Sequence, residues 1–232
     1  MTKRAVFINT GFDPTIALDA VAALSLSTGD LLILVYPMTT YGHSKIRSEN
    51  TITQIKAHLD LLKTRGRNII LKELGIGLTD LKTSIATLLD SIAEAKNAGL
   101  RVYLDLTGGV RAITVLMTLI AAWFPHLVDE ITLVSEVNQM RISLPVIPSA
   151  ILNDWTLCAV LEIVALRGNV KRKDICRDLG ISESSISRAV TKLKNMGLLD
   201  EELRTLSLKD KFKDLEPFFT RLVKYTNFQK MK

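Results

Sequence analysis

One stretch, Leu104-Asp105-Leu106-Thr107-Gly108-Gly109-Val110-Arg111, limits the folds open to this chain more than any other. The residues leading into it, Arg101-Val102-Tyr103-Leu104-Asp105-Leu106, have the β-branched and aliphatic character of a buried strand. The residues after it, Ala112 to Phe124, form an apolar run that Pro125 stops; it is too long for a strand and reads as a core helix. Thr107–Arg111 is therefore a strand-to-helix turn. Two glycines let the backbone approach a ligand and leave N–H groups open, and the helix start adds unsatisfied donors and the positive end of a dipole. Arg111 adds a planar cation suited to phosphate, and Thr107 a hydroxyl. A plain tight turn needs the glycines but not the arginine, so the pattern points to an anion site. It is neither a Walker A loop nor a dinucleotide fingerprint, because Gly-Lys-Ser/Thr and Gly-x-Gly-x-x-Gly are both missing.

The same alternation runs through the first part of the chain. Arg4–Asn9 reads as a strand, Asp13 as an N-cap and Pro14 as the first residue of a helix reaching about Ser27. Leu31–Tyr36 is a second strand, ended by Pro37. A helix from about Ser44 to Arg65 comes next, with Ile52, Ile55, Leu59 and Leu62 on one face. Asn68–Leu74 is a third strand. Thr79 or Asp80 opens a helix with Leu81, Ile85, Leu88, Leu89 and Ile92 inward, closed by Gly99. Glu130–Ser135 and Gln139–Leu144 pair as a hairpin around Val137-Asn138. This order predicts an α/β, Rossmann-like, mostly parallel sheet wrapped on both faces, with ligands beyond the carboxyl ends of the strands where strand order reverses. The turns there are Thr10–Asp13, Pro37–Thr40 with Thr39, Gly75–Gly77 and Thr107–Arg111. Phe12 reads equally as a base-stacking ring or as a hydrophobic staple for its helix.

The 47% apolar and 23% charged composition of the 232 residues is that of a globular chain with room for two domains. Two cysteines, Cys158 and Cys176, have no ligand spacing. The start, Met1-Thr2-Lys3-Arg4, has no signal-peptide pattern, and no apolar run reaches a membrane span. These point to a cytoplasmic chain with reduced thiols, no metal and no membrane partner. His43, His58 and His126 form no recognisable catalytic spacing, so no catalytic residue is expected. The net charge of +6 is uneven: residues 1–148 carry 14 Lys+Arg against 13 Asp+Glu, and residues 149–232 carry 16 against 11. The shorter second part is the one that meets a polyanion.

Pro145-Val146-Ile147-Pro148-Ser149 marks the boundary, giving domains 1–144 and 151–232 joined by 145–150. The second domain is mostly helical: Leu152–Leu166, Arg172–Leu179, and a helix capped by Ser182 that ends at Gly197 with Ile186, Val190 and Leu193 inward. Ser184, Ser185, Ser187, Arg188, Thr191 and Lys192 are left outward, a face able to enter a DNA major groove. Leu198–Leu208 is a hairpin wing with Arg204 near its tip as a further DNA-binding residue, although Asp200-Glu201-Glu202 is acidic for a wing. Phe212–Phe228 is an aromatic-rich amphipathic helix. The run from Ile181 to Leu199, with Ile181-Ser182-Glu183-Ser184-Ser185-Ile186-Ser187-Arg188 at its start, resembles the winged helix-turn-helix of archaeal and bacterial regulators.

The turns Asn9-Thr10-Gly11-Phe12-Asp13-Pro14-Thr15 and Asp105-Leu106-Thr107-Gly108-Gly109-Val110-Arg111 look like the signature turns of CARF domains, the CRISPR-associated Rossmann-like sensors. With the C-terminal winged helix, the whole chain is similar to archaeal CRISPR-associated transcription regulators. That resemblance implies a homodimer whose paired turns bind cyclic oligoadenylate, cyclic tetra-adenylate in particular, as an effector rather than a cofactor. It implies Thr10, Gly11, Phe12 and Asp13 with Thr107, Gly108, Gly109 and Arg111 as ligand residues, double-stranded DNA as the partner of the second domain, and a regulator rather than an enzyme. A ring nuclease using Thr107 or Arg111 to position a 2′-hydroxyl, a sensor of another phosphorylated metabolite, and a protein-binding winged helix are the alternatives.

Overall fold

The computed structural model describes residues 2–38, 42–135 and 137–225, apart from the side chains of 43, 44, 149 and 225. The chain divides into two compact units, 1–147 and 148–232.

In the first unit β1 (Arg4–Asn9), β2 (Leu31–Pro37), β3 (Ile70–Ile76), β4 (Arg101–Asp105) and β5 (Glu130–Val134) run parallel, and β6 (Arg141–Leu144) returns antiparallel on β5. The spatial order is β3-β2-β1-β4-β5-β6. Both faces of the central strands are covered, which is why they read as continuous apolar runs instead of alternating ones. Phe7, Ile33, Val35 and Leu104 pack with Leu88 and Ile92 of α3 (Leu81–Asn97) and with Ile113, Met117 and Ile120 of α4 (Arg111–Trp123). Val6, Ile8, Leu32 and Leu34 pack with Ala17, Ala20 and Val21 of α1 (Pro14–Ala23) and with Ile52, Ile55 and Leu59 of α2 (Gly42–Thr64). The chain leaves β1 toward β2 on one side and later places β4 on the other. The strand order therefore reverses between β1 and β4, and the crevice this opens lies beyond their carboxyl ends.

Several expected boundaries move for local reasons. α1 stops at Ala23, not near Ser27, because Leu24 caps it and Ser25 takes a left-handed backbone at φ 48°. Asp80 caps α3 by accepting from the Thr83 N–H. The buried stripe of α3 is Ser84, Leu88, Ser91, Ile92 and Ala95, while Leu81 and Ile85, expected inward, are exposed. Ser84 can take the inward slot because its hydroxyl donates to the carbonyls of Gly77 and Asp80.

The second unit opens with a 3-10 stretch, Ser149–Asn153, where sequence pattern places the start of a helix. Asp154 accepts from the N–H groups of Thr156 and Leu157 and so starts α5 (Trp155–Arg167) at a later residue. Then come β7 (Val170–Lys171), α6 (Arg172–Leu179), α7 (Glu183–Asn195), β8 (Leu199–Glu202) and β9 (Thr205–Leu208), with the strands in one antiparallel sheet ordered β7-β9-β8. The single amphipathic helix expected from Phe212 is instead a 3-10 stretch, Asp210–Leu215, then α8 (Glu216–Phe219) and α9 (Leu222–Tyr225). Pro217 has no N–H with which to continue a helix, and Phe212 and Phe219 are buried edge to face, 6.2 Å between centroids. Among the described residues no helix is long and apolar enough to cross a membrane.

Candidate functional site

The two glycine turns meet at the crevice. Asn9, the last residue of β1, is fully buried. Its Nδ2 donates to the Val110 carbonyl and to Thr114 Oγ1, both at 2.9 Å, and its Oδ1 accepts from the Val110 N–H at 3.1 Å. One amide side chain thus ties the end of β1 to the start of α4. Gly109 has φ 83°, and a Cβ there would lie 2.0 Å from Asn9 Oδ1. A Cβ on Gly11, at φ 53°, would lie 2.6 Å from Gly109 Cα. The turns are glycine because their backbones touch each other.

This contact leaves the outer side of the β4–α4 turn open. Gly109 and Arg111 are exposed, and Thr107 and Gly108 are half-buried. α4 has no side-chain cap on its first residues. Among the described residues the N–H groups of Gly108, Gly109, Arg111 and Ala112 have no acceptor. Unpaired donors stand with a guanidinium at a helix start, a combination that suits an anion.

Beneath the turn lies a buried polar group. Asp105, with no exposed surface, accepts from the Thr107 N–H at 3.0 Å through one oxygen and from Thr132 Oγ1 at 3.2 Å and Arg141 through the other. Thr107 Oγ1 in turn accepts from the Val134 N–H at 3.1 Å. The turn is thereby fixed to β5 and β6 from behind.

The β1–α1 turn presents less to a ligand. Thr10 is fully buried and its N–H donates to the Val35 carbonyl, so it supports the turn from inside. Gly11 is buried too. Asp13 caps α1, accepting from the N–H and hydroxyl of Thr15; the hydroxyl bond, then the backbone bond, hold its carboxyl below the ordinary range. An ionised carboxylate repels phosphate but can accept from a ribose hydroxyl. The Phe12 ring carries the Arg47 guanidinium 5.0 Å from its centroid. Thr39 lies outside the described residues.

On the second unit, Ser184, Arg188, Thr191 and Lys192 are exposed along α7 and Ser185 and Ser187 are half-buried. Ser187 accepts from Arg172, and Arg188 donates to Ser185. Ser185, Arg188 and Lys192 line a shallow groove of about 230 Å³ with Asp154 and Thr156. Arg204 is exposed at the β8–β9 turn. Acidic Glu201 is taken up by Arg172 at 2.7 Å and Lys194 at 2.8 Å, which hold its carboxyl below its ordinary value.

Sequence pattern alone missed Asn9, Asp105, Arg141 and Arg47. A carboxylate ending a buried strand just before a glycine turn is a signal for Asp105. Arg141, 36 residues further on, gives none.

Residues 4–145 match the model of the Csa3 CRISPR-associated Rossmann-like domain. No curated protein matches the chain. Solved structures similar to it include protein VC1899 from Vibrio cholerae (14% identity, 95% of this chain, 66% of that one, TM-score 0.40). Enterococcus italicus Csm6 bound to cyclic hexa-2′-fluoro-hexa-dAMP is also similar (12%, 85%, 57%, 0.49). So is Can2 from Sulfobacillus thermosulfidooxidans in complex with cyclic tetra-adenylate (13%, 94%, 63%, 0.36). The chain spans 57 to 66% of the length of these proteins. One expectation is corrected here: with Csm6 and Can2 among the similar structures, the expectation of a chain that is strictly not an enzyme does not stand.

Proposed function

This chain belongs to the family of the Csa3 CRISPR-associated Rossmann-like domain, and from that premise we propose that its first unit binds cyclic oligoadenylate where the β1 and β4 turns meet. The observation that carries the reading is the set of unpaired amides at Gly108, Gly109, Arg111 and Ala112 beside the exposed Arg111, at the reversal of strand order. Each amide donates to a phosphate oxygen and Arg111 adds a charge-assisted pair.

The ring is taken by a homodimer. α4 starts at Arg111 and carries exposed Val115, Leu119 and Trp123 at four-residue spacing, with Trp123 74% exposed. An apolar stripe of that kind is a surface for association. Pairing two such helices about a two-fold axis brings two cradles to one ligand, each half of an even-membered ring meeting the same residues. Cyclic tetra-adenylate is the ring we assign to it.

The second unit is a winged helix whose α7 enters the major groove of double-stranded DNA through Ser184, Ser185, Ser187, Arg188, Thr191 and Lys192. Ring binding changes DNA affinity only to the extent that the ring favours one arrangement of the dimer over another. Cleavage of the bound ring is a second reading with its own support: the ring's 2′-hydroxyl is an internal nucleophile. A site that aligns it with the next phosphate and neutralises the oxyanion with amides and Arg111 needs little more.

Incubating the protein with cyclic tetra-adenylate, then resolving bound and free nucleotide by anion-exchange chromatography, tests both readings. Retention of intact ring supports sensing, and linear products with a cyclic-phosphate end support cleavage. No retention and no products would contradict both.

A further inference from the structure

The turn joining β8 to β9 is built from Leu203 and Arg204, at φ 48° and 66°. Two consecutive left-handed residues in a two-residue hairpin make the turn that asparagine and glycine favour. A leucine is a poor choice for that backbone, and folding gives nothing back: Leu203 is 98% exposed. Its neighbours explain what it is doing there. Lys171, Lys173, Leu203 and Arg204 line one groove of about 620 Å³ with Arg172, Glu201 and Glu183. Among the described residues Lys171, Lys173 and Arg204 form no ion pair, whereas Glu201 is neutralised by Arg172 and Lys194. The groove therefore offers three unpaired cations around an outward apolar tip. Glu183, in the first turn of α7, and exposed Glu202, beside Leu203, are carboxylates that oppose a polyanion there.

We infer that the β8–β9 turn enters the minor groove of duplex DNA, with Leu203 as an apolar wedge between base steps and Lys171, Lys173 and Arg204 on the flanking phosphates. The inference rests on the DNA-binding reading of the second unit and adds a contact apart from the α7 face. Wedges of this kind unstack one step and bend the duplex, while cations alongside hold its backbone. Of the acidic Asp200-Glu201-Glu202 run of β8, Glu201 is held by its two cations and Asp200 faces Lys209 at 3.7 Å, which leaves exposed Glu202 as its one carboxylate with no ion pair among the described residues.

The test uses the full chain and a labelled 40-base-pair duplex selected from a random pool, with anisotropy read over a range of salt and end-to-end energy transfer reading the bend. Leu203→Asn keeps the left-handed turn and removes the wedge. It is expected to leave the melting temperature unchanged or raise it, to weaken binding on the order of ten- to hundredfold, as for loss of one buried leucine, and to straighten the duplex. The salt slope stays as in the wild type. The double variant Lys171→Ala/Lys173→Ala is expected to lower that slope by about 2, close to one per phosphate, and Glu183→Gln to strengthen binding. Wild-type affinity and bend in Leu203→Asn would overturn the wedge, and an unchanged slope in the lysine variant the groove. A wild-type chain that binds no duplex, or binds without salt dependence as a protein partner would, overturns the DNA reading itself.

Discussion

Asn9 and Val110 are joined at both ends of one amide: Asn9 Nδ2 donates to the Val110 carbonyl at 2.9 Å, and the Val110 N–H donates back to Asn9 Oδ1 at 3.1 Å. The pair spans 101 residues of sequence and sits with no exposed surface on Asn9. It anchors Val110, the residue before α4, and leaves the first amides of the helix open. Asn9→Ala leaves the half-buried Val110 N–H without its acceptor and takes one donor from the Val110 carbonyl, which still accepts from the Ile113 and Thr114 N–H groups, at a cost of about 1–3 kcal/mol. Urea unfolding monitored by circular dichroism measures it. Nucleotide binding should weaken too, since the turn loses its anchor.

The two glycines of the β4–α4 turn should differ. A Cβ on Gly109 meets Asn9 Oδ1 at 2.0 Å and requires a left-handed backbone, whereas one on Gly108 meets the flexible end of Ile16, Cδ1, at 2.2 Å. Ile16 can turn away and the buried Asn9 cannot. Gly109→Ala is expected to lose more stability than Gly108→Ala by about 1 kcal/mol or more. Equal midpoints in parallel denaturation curves would contradict this.

Charge removal should separate the two binding surfaces. Arg111 and Arg188 are both exposed, one at the start of α4 and one on α7. Each alanine variant should change stability by less than about 0.5 kcal/mol. Arg111→Ala is expected to weaken cyclic oligoadenylate and leave duplex binding of the unliganded protein intact; Arg188→Ala is expected to do the reverse. Anisotropy with each labelled ligand checks both.

Asp105 has no exposed surface and Arg141 is 18% exposed. Removing the guanidinium leaves a buried carboxylate with only Thr132 and the Thr107 N–H as partners. Arg141→Ala should cost about 3–5 kcal/mol. The paired change to apolar residues should cost less, a sign that the single variant exposes an uncompensated charge.

Glu201 gives a pH dependence of known sign. Arg172 first, then Lys194, hold its folded carboxyl below the ordinary glutamate value, so the unfolded chain binds that proton more readily. The stabilisation is complete above the ordinary glutamate range and is lost as pH falls through the lowered folded value. Wild type minus Glu201→Gln, by denaturation from pH 7 to 3, should be largest at neutral pH and shrink on acidification.

The parallel sheet was readable because its strands are covered on both faces and so appear as unbroken apolar runs, Ala5–Ile8 and Leu32–Val35 among them. α7 was readable because Ser182 caps it in the way its sequence pattern demands. β7 was not: two residues, Val170 and Lys171, carry no period, and their pairing with Leu206 and Thr205 is set by distant chain. At the site, the glycines and Arg111 stand in one local pattern. Their supports do not, since Asn9 and Arg141 reach the turn from β1 and β6, and such contacts leave no mark on local sequence. The tail read as one helix because its aromatic spacing is helical, yet Pro217 interrupts it.

Whether the β4–α4 turn holds a cyclic nucleotide is tested most directly by calorimetric titration of cyclic tetra-adenylate into the intact protein and into Arg111→Ala. One ring should bind per two wild-type chains, and binding by Arg111→Ala should be weakened by about 1.5–3 kcal/mol, as for loss of a hydrogen bond to a charged group. No binding heat with the wild type, or equal affinity in the two proteins, would contradict it.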